Sequence, residues 1–331
     1  MLLWNAPKSP TGQDLSIVIG SQGDVPGKFQ QPRGITGLAD GSFVVVDRAA
    51  RVQHFSADGL PLKLWSMQEH AVGNPKGLCA LPNGNLLVCD THYGRVLEMK
   101  AENGMIVQIW GEPGLGPAQF THPLSAAVDA ARGVAYVVEY GGYNDRVQKF
   151  SLDGKFLKSW GSFGSEQGQF QRPSGIAVDG AGNVYVADSV NHRIQKFNSE
   201  GVFLTLFGSL GTNSGELRYP YDIAWAPDED METKEGKLRA SNGLLYVIEF
   251  CNHRVSVFDT NGIFVRDFGG AGTRKGEFAN PWSLTIDARG RLLVSDTANN
   301  RVQIFDLAKQ SASPVTRTLP RLAGREPDSN F

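Results

Sequence analysis

The chain has 331 residues, with 32 Lys and Arg against 34 Asp and Glu, a formal net charge of −2. That balance sets up no global field to draw it onto nucleic acid or an anionic membrane, so only a local patch could do so. Its 39 glycines and 17 prolines imply many tight turns and argue against long helices, and no apolar run approaches the length of about 18 residues that a membrane-spanning helix needs.

The opening stretch, Met1 to Pro10, lacks a basic head followed by a sustained apolar run, so a soluble, cytoplasmic chain without an export signal is expected. The next element is the apolar run from Asp14 to Gly20, "DLSIVIG". Only the spacing of the later units reveals its place.

From residue 32 onward the chain repeats. Prolines at 32, 75, 123, 173, 220 and 281, spaced 43, 48, 50, 47 and 61 residues apart, each precede two short apolar runs, an acid-to-arginine turn and two further runs. In the clearest unit, alternation predicts strands around Ile176 and Val178, over Val184–Ala187, over Arg193–Phe197 and over Phe203–Phe207. Gly and Asn in "DGAGN" (179 to 183) and the Glu200-Gly201 pair supply the turns. The second run is apolar on both faces, so it must be covered twice, as in a sheet held between two neighbouring sheets. Four short strands per repeat of this length are the signature of propeller blades.

Two cysteines, Cys79 and Cys89, flank the turn "LPNGN" of the second unit, and the third, Cys251, lies in the fifth. They are too few for a disulfide framework and form no CxxC pair, which suits a reducing compartment. Cys79 and Cys89 read as small buried side chains, with a cross-strand bridge left open for an oxidising setting. The fifth unit also carries a charged insertion, residues 227 to 243, expected as an excursion on the far face.

Fourth strands end on a bulky residue: Trp65, Trp110, Trp160, Phe207 and Phe268. The next proline follows 13 residues after the last four of these, and Ile19 also lies 13 residues before Pro32, whereas the sixth unit reaches Val315 with no aromatic-Gly pair. Residues 15 to 20 are therefore expected to supply the outer strand of the last blade, which removes an open sheet edge. The expected fold is all-β, a single six-bladed β-propeller of four-stranded antiparallel blades over residues 15 to 307. Residues 308 to 331, polar and proline-containing, read as a C-terminal extension.

The repeated acid, the turn Asn-His-Arg intact at 191 to 193 and 252 to 254, and the apolar strand after it resemble the NHL repeat. The other copies depart at the histidine, which becomes Ala50, Gly94, Asp145 or Asn300. The resemblance implies an NHL propeller of the bacterial all-propeller type. Its family includes RNA-binding domains of tripartite-motif proteins, a peptide-amidating lyase and bacterial sensor domains.

A motif copied into every blade cannot form one compact centre. The pairs Asp47 and Arg51, Asp90 and Arg95, Glu139 and Arg146, Asp188 and Arg193, Glu249 and Arg254, and Asp296 and Arg301 are therefore read as structural, crossing the turn between second and third strands and bonding its backbone. Specificity must come from positions where the repeats differ. The residue after each proline varies strongly: Arg33, Lys76, Leu124, Ser174, Tyr221 and Trp282. In a propeller of this kind these share the channel mouth with the second-to-third loops, which add Arg48, His92, Tyr93, Tyr140, Tyr143 and Phe250. The candidate partner site is Arg33, Arg48, Lys76, Tyr93, Tyr140, Tyr143, Tyr221, Phe250 and Trp282, a cationic and aromatic rim.

No catalytic residue, metal ligand or cofactor is assigned. The amidating lyase of the family holds zinc through histidines in Pro-His pairs, and this chain has no Pro-His pair, GxSxG elbow or Walker-type loop. Acids at the first strands, Asp129, Asp179, Asp222 and Asp287, keep a metal-dependent lyase or hydrolase in the channel as one alternative. RNA binding through Arg33, Lys76, Arg172 and Arg218 is the other. The favoured expectation is a non-catalytic module for a protein or peptide partner, without membrane insertion.

Overall fold

The computed structural model describes residues 15–69, 71, 75–227 and 243–307. The C-terminal extension and all but the two ends of the charged insertion lie outside the described residues. What is described forms six four-stranded antiparallel sheets and one short parallel pair, Glu112–Pro113 with Gln119–Phe120, with almost no helix. The fourth blade comprises Pro173–Val178, Val184–Asp188, Arg193–Phe197 and Phe203–Phe207 in chain order, matching the strands predicted from alternation to within a few residues. The sixth sheet breaks that order as the spacing predicted: Leu15–Ile19 lies beside Arg301–Asp306, followed by Arg291–Asp296 and Leu284–Ile286. Ile19 is paired with Val302 and Ile17 with Ile304.

Burial explains the composition of each strand. Second strands such as Phe43–Asp47 and Val184–Asp188 are buried at every residue, because each sheet has a neighbour on both faces. Outer strands expose alternate apolar residues, Leu62, Ile109, Leu157 and Leu204 among them. The packing falls into clusters that each bridge two adjacent blades, from Val44, Val88 and Leu97 between the first and second to Val45, Leu293 and Ile304 between the sixth and first. At roughly 1.5–3 kcal/mol for each fully buried aliphatic side chain, the inter-blade seams hold the wheel together.

The bulky residue closing a fourth strand packs over a glycine in the next blade's outer hairpin. A Cβ on Gly104 would stand 2.1 Å from Trp65 Nε1, and one on Gly201 would stand 2.4 Å from Trp160 Cδ2. Both glycines have positive φ, 72° and 73°, so any other residue there meets backbone strain and a steric clash together.

All six acid and arginine pairs form, with the acids at 0 to 1% side-chain exposure. They hold more than their own turn. Arg193 Nη2 donates to the carbonyls of Glu166 and Gln169 at 2.8 and 3.0 Å, in the connection leading into its blade, and Asp188 accepts the backbone N–H of Gln171 at 2.7 Å. Arg254 and Arg301 repeat this on Glu216 and Glu277. Burial pushes the Asp188 carboxyl up, while these hydrogen bonds pull it back down.

The histidine of the motif points the other way, toward the next blade. His192 Nδ1 accepts the backbone N–H of Tyr219 at 3.1 Å and His253 Nδ1 that of Asn280 at 3.1 Å. Asp145 Oδ2 does the same for Arg172 at 2.6 Å and Asn300 Oδ1 for Gln31 at 2.8 Å. Four of the six blades thus place a side-chain acceptor there, which explains why Asp and Asn can replace His. Ala50 and Gly94 supply none.

Candidate functional site

The blade-initial prolines place the variable residues. Pro173 is opposite Asp188 and Gly175 opposite Ala187, so Ser174 is an extra residue in its strand, a β-bulge. The same interruption follows Pro32, Pro123 and Pro220. A bulge turns its side chain out of the regular alternation, here toward the axis. Leu124, Ser174 and Tyr221, with Lys76 and Trp282 just ahead of their own first strands, line a cavity of about 220 Å³ at the centre of the wheel. Its deeper walls are first-strand residues such as Ile35, Cys79, Ala126 and Ile223.

Two side-chain groups flank this mouth. On one side Tyr221 stacks on Phe250 at 4.5 Å, Trp282 meets Tyr221 edge-on at 5.0 Å, and the Arg33 guanidinium lies 4.9 Å from the Trp282 ring. On the other, Tyr140 stacks on His122 at 5.0 Å, with the Arg172 guanidinium 5.3 Å and the Lys76 ammonium 6.0 Å from the Tyr140 ring. Lys76 is only 8% exposed. Its burial, with Arg33 and Arg172 nearby, lowers its pKa from 10.5 to about 8. Burial also lowers Arg33, with Arg48 adding to the effect, and the Arg33 Nε is buried without a hydrogen-bond partner.

The structure thus brings Arg33, Lys76, Tyr140, Tyr221, Phe250 and Trp282 together. Arg48 stands near Arg33 and donates to Gln31 Oε1 at 3.0 Å. The other two rim residues are engaged elsewhere. Tyr93 lies 4.9 Å from the Arg95 guanidinium of the turn motif, and Tyr143, 83% exposed, meets Phe163 of the next connection edge-on at 5.4 Å. Two members of the cluster stood outside the expected partner rim: His122, and Arg172, which the sequence offered only for the RNA alternative. Each immediately precedes a blade-initial proline, a position as variable as the one after it.

The four acids separate. Asp129 binds Arg132, Asp287 binds Arg291, and Asp179 accepts from the Tyr185 hydroxyl at 2.9 Å. Asp222 alone lines the channel, accepting from the Ser283 hydroxyl at 2.6 Å, and burial raises its carboxyl to about 7. Among the described residues no group of three or more His, Cys, Asp or Glu is placed to hold a metal ion. The cysteines are free, with Cys79 opposite Leu87 and Cys89 opposite Gly77.

The model of the NHL repeat matches residues 170–197 and 278–305, both spanning an acid-arginine turn and the strands around it. The chain is a six-bladed β-propeller that carries NHL repeats. Two curated relatives share short stretches with it: Protein lin-41 of Caenorhabditis elegans, 54% identical over 39 residues, and Protein wech of Drosophila melanogaster, 37% identical over 76. These stretches are 12% and 21% of this chain and only 3% and 9% of those proteins. Among solved structures the NHL propeller is similar to a streptogramin B lyase, with a TM-score of 0.59 at 13% identity over 90% of this chain and 99% of that one. That likeness is one of fold. Among the described residues no helix is long and apolar enough to cross a membrane.

Proposed function

We propose that this NHL propeller is a non-catalytic binding module that takes a protein or peptide at its channel mouth. The observation that carries the reading is the contact cluster of Tyr221, Phe250 and Trp282 beside the cavity. The repeat does not demand these residues, since the equivalent post-proline positions elsewhere hold Leu124 or Ser174. Aromatic side chains gathered beside cations at a concave site supply large contact area at low conformational cost, the pattern of interface anchors.

The test is affinity capture from the source cells, quantified by mass spectrometry, with wild type against Tyr221→Ala plus Trp282→Ala. Leu204→Ala, on the outer rim, is the control. The double variant is expected to lose the captured proteins that wild type and control retain. Equal capture by all three, or capture that disappears on nuclease treatment, counts against the reading.

A further inference from the structure

We propose that the mouth grips a carboxylate of an acidic peptide, with Lys76 as the gripping group and Arg33 and Arg172 beside it. This rests on the reading of the propeller as a peptide-binding module and names the chemistry that its partner must present.

The starting observation is an anomaly in how charge is buried. Elsewhere among the described residues, buried cations have an ion-pair or carbonyl partner. Arg146 pairs with Glu139 at 2.7 Å and Lys149 with Glu200 at 2.8 Å, and even the half-buried Lys196 donates to the Thr260 carbonyl at 2.8 Å. Lys76 is buried as deeply, lines the cavity, and has no ion pair or hydrogen bond from its ammonium among the described residues. Arg33 and Arg172 likewise have no carboxylate partner among the described residues, and both push Lys76 toward its neutral form. Asp222, the acid lining the same cavity, is turned to the Ser283 hydroxyl and to the backbone N–H groups of Ile223 and Leu284. An unpaired buried charge is expensive. Three cations kept together without an anion form a site complementary to one that arrives from outside.

Shape and charge narrow the ligand. The cavity, about 220 Å³, accommodates a side chain or a chain end rather than a polymer lying across it. A single ammonium on an apolar shaft acts as a point charge and suits a singly charged carboxylate, whereas planar bidentate recognition of phosphate is the role of arginine. Here both guanidiniums instead lie against aromatic rings. Nucleic acid requires a track of several phosphate contacts, and this chain carries a net charge of −2. The aromatic cluster beside the cations would take an apolar residue next to the acid.

The experiment uses the full chain on an octapeptide array that varies every position, printed once with free C-terminal carboxyls and once with C-terminal amides. Wild type is compared with Lys76→Met. The expected result is a preference for Asp or Glu beside an aromatic or aliphatic residue, weakened about tenfold in Lys76→Met, the loss expected for one charged hydrogen bond. Preference in both printings assigns a side-chain carboxylate, and preference only with free carboxyls assigns a chain end. A melting temperature in Lys76→Met at or above that of wild type excludes misfolding as the cause. No preference for acids, a preference that survives in Lys76→Met, or binding only to phosphoserine peptides or to an oligouridine RNA overturns the proposal. If cellular capture falls in the Tyr221 and Trp282 variant but not in Lys76→Met, the binding module stands and the carboxylate grip alone fails.

Discussion

Replacing Lys76 by methionine is expected to make the protein more stable. The lysine is 8% exposed and its pKa falls from 10.5 to about 8, so folding disfavours its charged form. A drop of that size corresponds to about 3 kcal/mol. Loss of the ammonium's contact with the Tyr140 ring, at 6.0 Å, returns about 0.5–1 kcal/mol of this, leaving a net gain of about 2 kcal/mol at pH 7. The sign follows from linkage. A lysine whose folded pKa is lowered is destabilising wherever both states would be protonated, so the whole effect is present below about 8 and disappears as the pH rises past about 10.5. Urea unfolding followed by tryptophan fluorescence should therefore show the gap between variant and wild type at pH 7 shrinking steadily toward pH 10. A variant less stable than wild type at pH 7, or a gap that does not change with pH, would refute the claim that Lys76 carries an uncompensated charge.

Deleting residues 1 to 20 should remove the strand paired with Arg301–Asp306 and leave Val302 and Ile304 on an open edge. Calorimetry should then find no cooperative transition, and a melting curve like that of the full chain would rule out closure by this strand. Arg193→Ala leaves Asp188 buried without its ion pair and should cost about 3–5 kcal/mol in urea unfolding; a cost below about 1 kcal/mol would mean that the pair contributes no stability. Burial holds His192 and His253 below the ordinary histidine value. Their acceptor bonds therefore contribute fully above about pH 6.5 and are lost as the pH falls below it, through the lowered values of the folded state. His192→Asn plus His253→Asn, which keeps an acceptor in place, should lose less melting temperature between pH 7 and 5 than wild type does, and parallel losses would exclude these bonds as the cause.

Much of the fold was legible in the sequence because it is written six times. The proline spacing, the doubly apolar second strands and the position of Ile19 relative to Pro32 together placed the blades and the closing strand. Repetition also hid part of the answer. The arginine was read as bridging its own turn, since sequence places Arg193 only five residues from Asp188, whereas its reach to Glu166 and Gln169 depends on how two blades meet. The histidine looked variable because two of its replacements, Asp145 and Asn300, differ in name while sharing an acceptor. At the mouth, the post-proline residues converge because each stands at the start of a first strand, at a bulge in four of the blades, which chain position could register. Tyr93 and Tyr143 occupy equivalent-looking loops yet turn to Arg95 and Phe163, a choice made by neighbours that the linear pattern does not contain.

The bond from Gln31 to Asn300 is chemically the same as those from Tyr219 to His192 and from Asn280 to His253. The junction that completes the circle is therefore no weaker in kind than those from the third blade to the sixth, so closure itself leaves no weak seam. A closed ring of sheets packed face to face resists widening sector by sector, so most of the ordering cost of association should fall on the guest. Short, already stiffened segments should on that account be held more tightly than long flexible ones bearing the same acid.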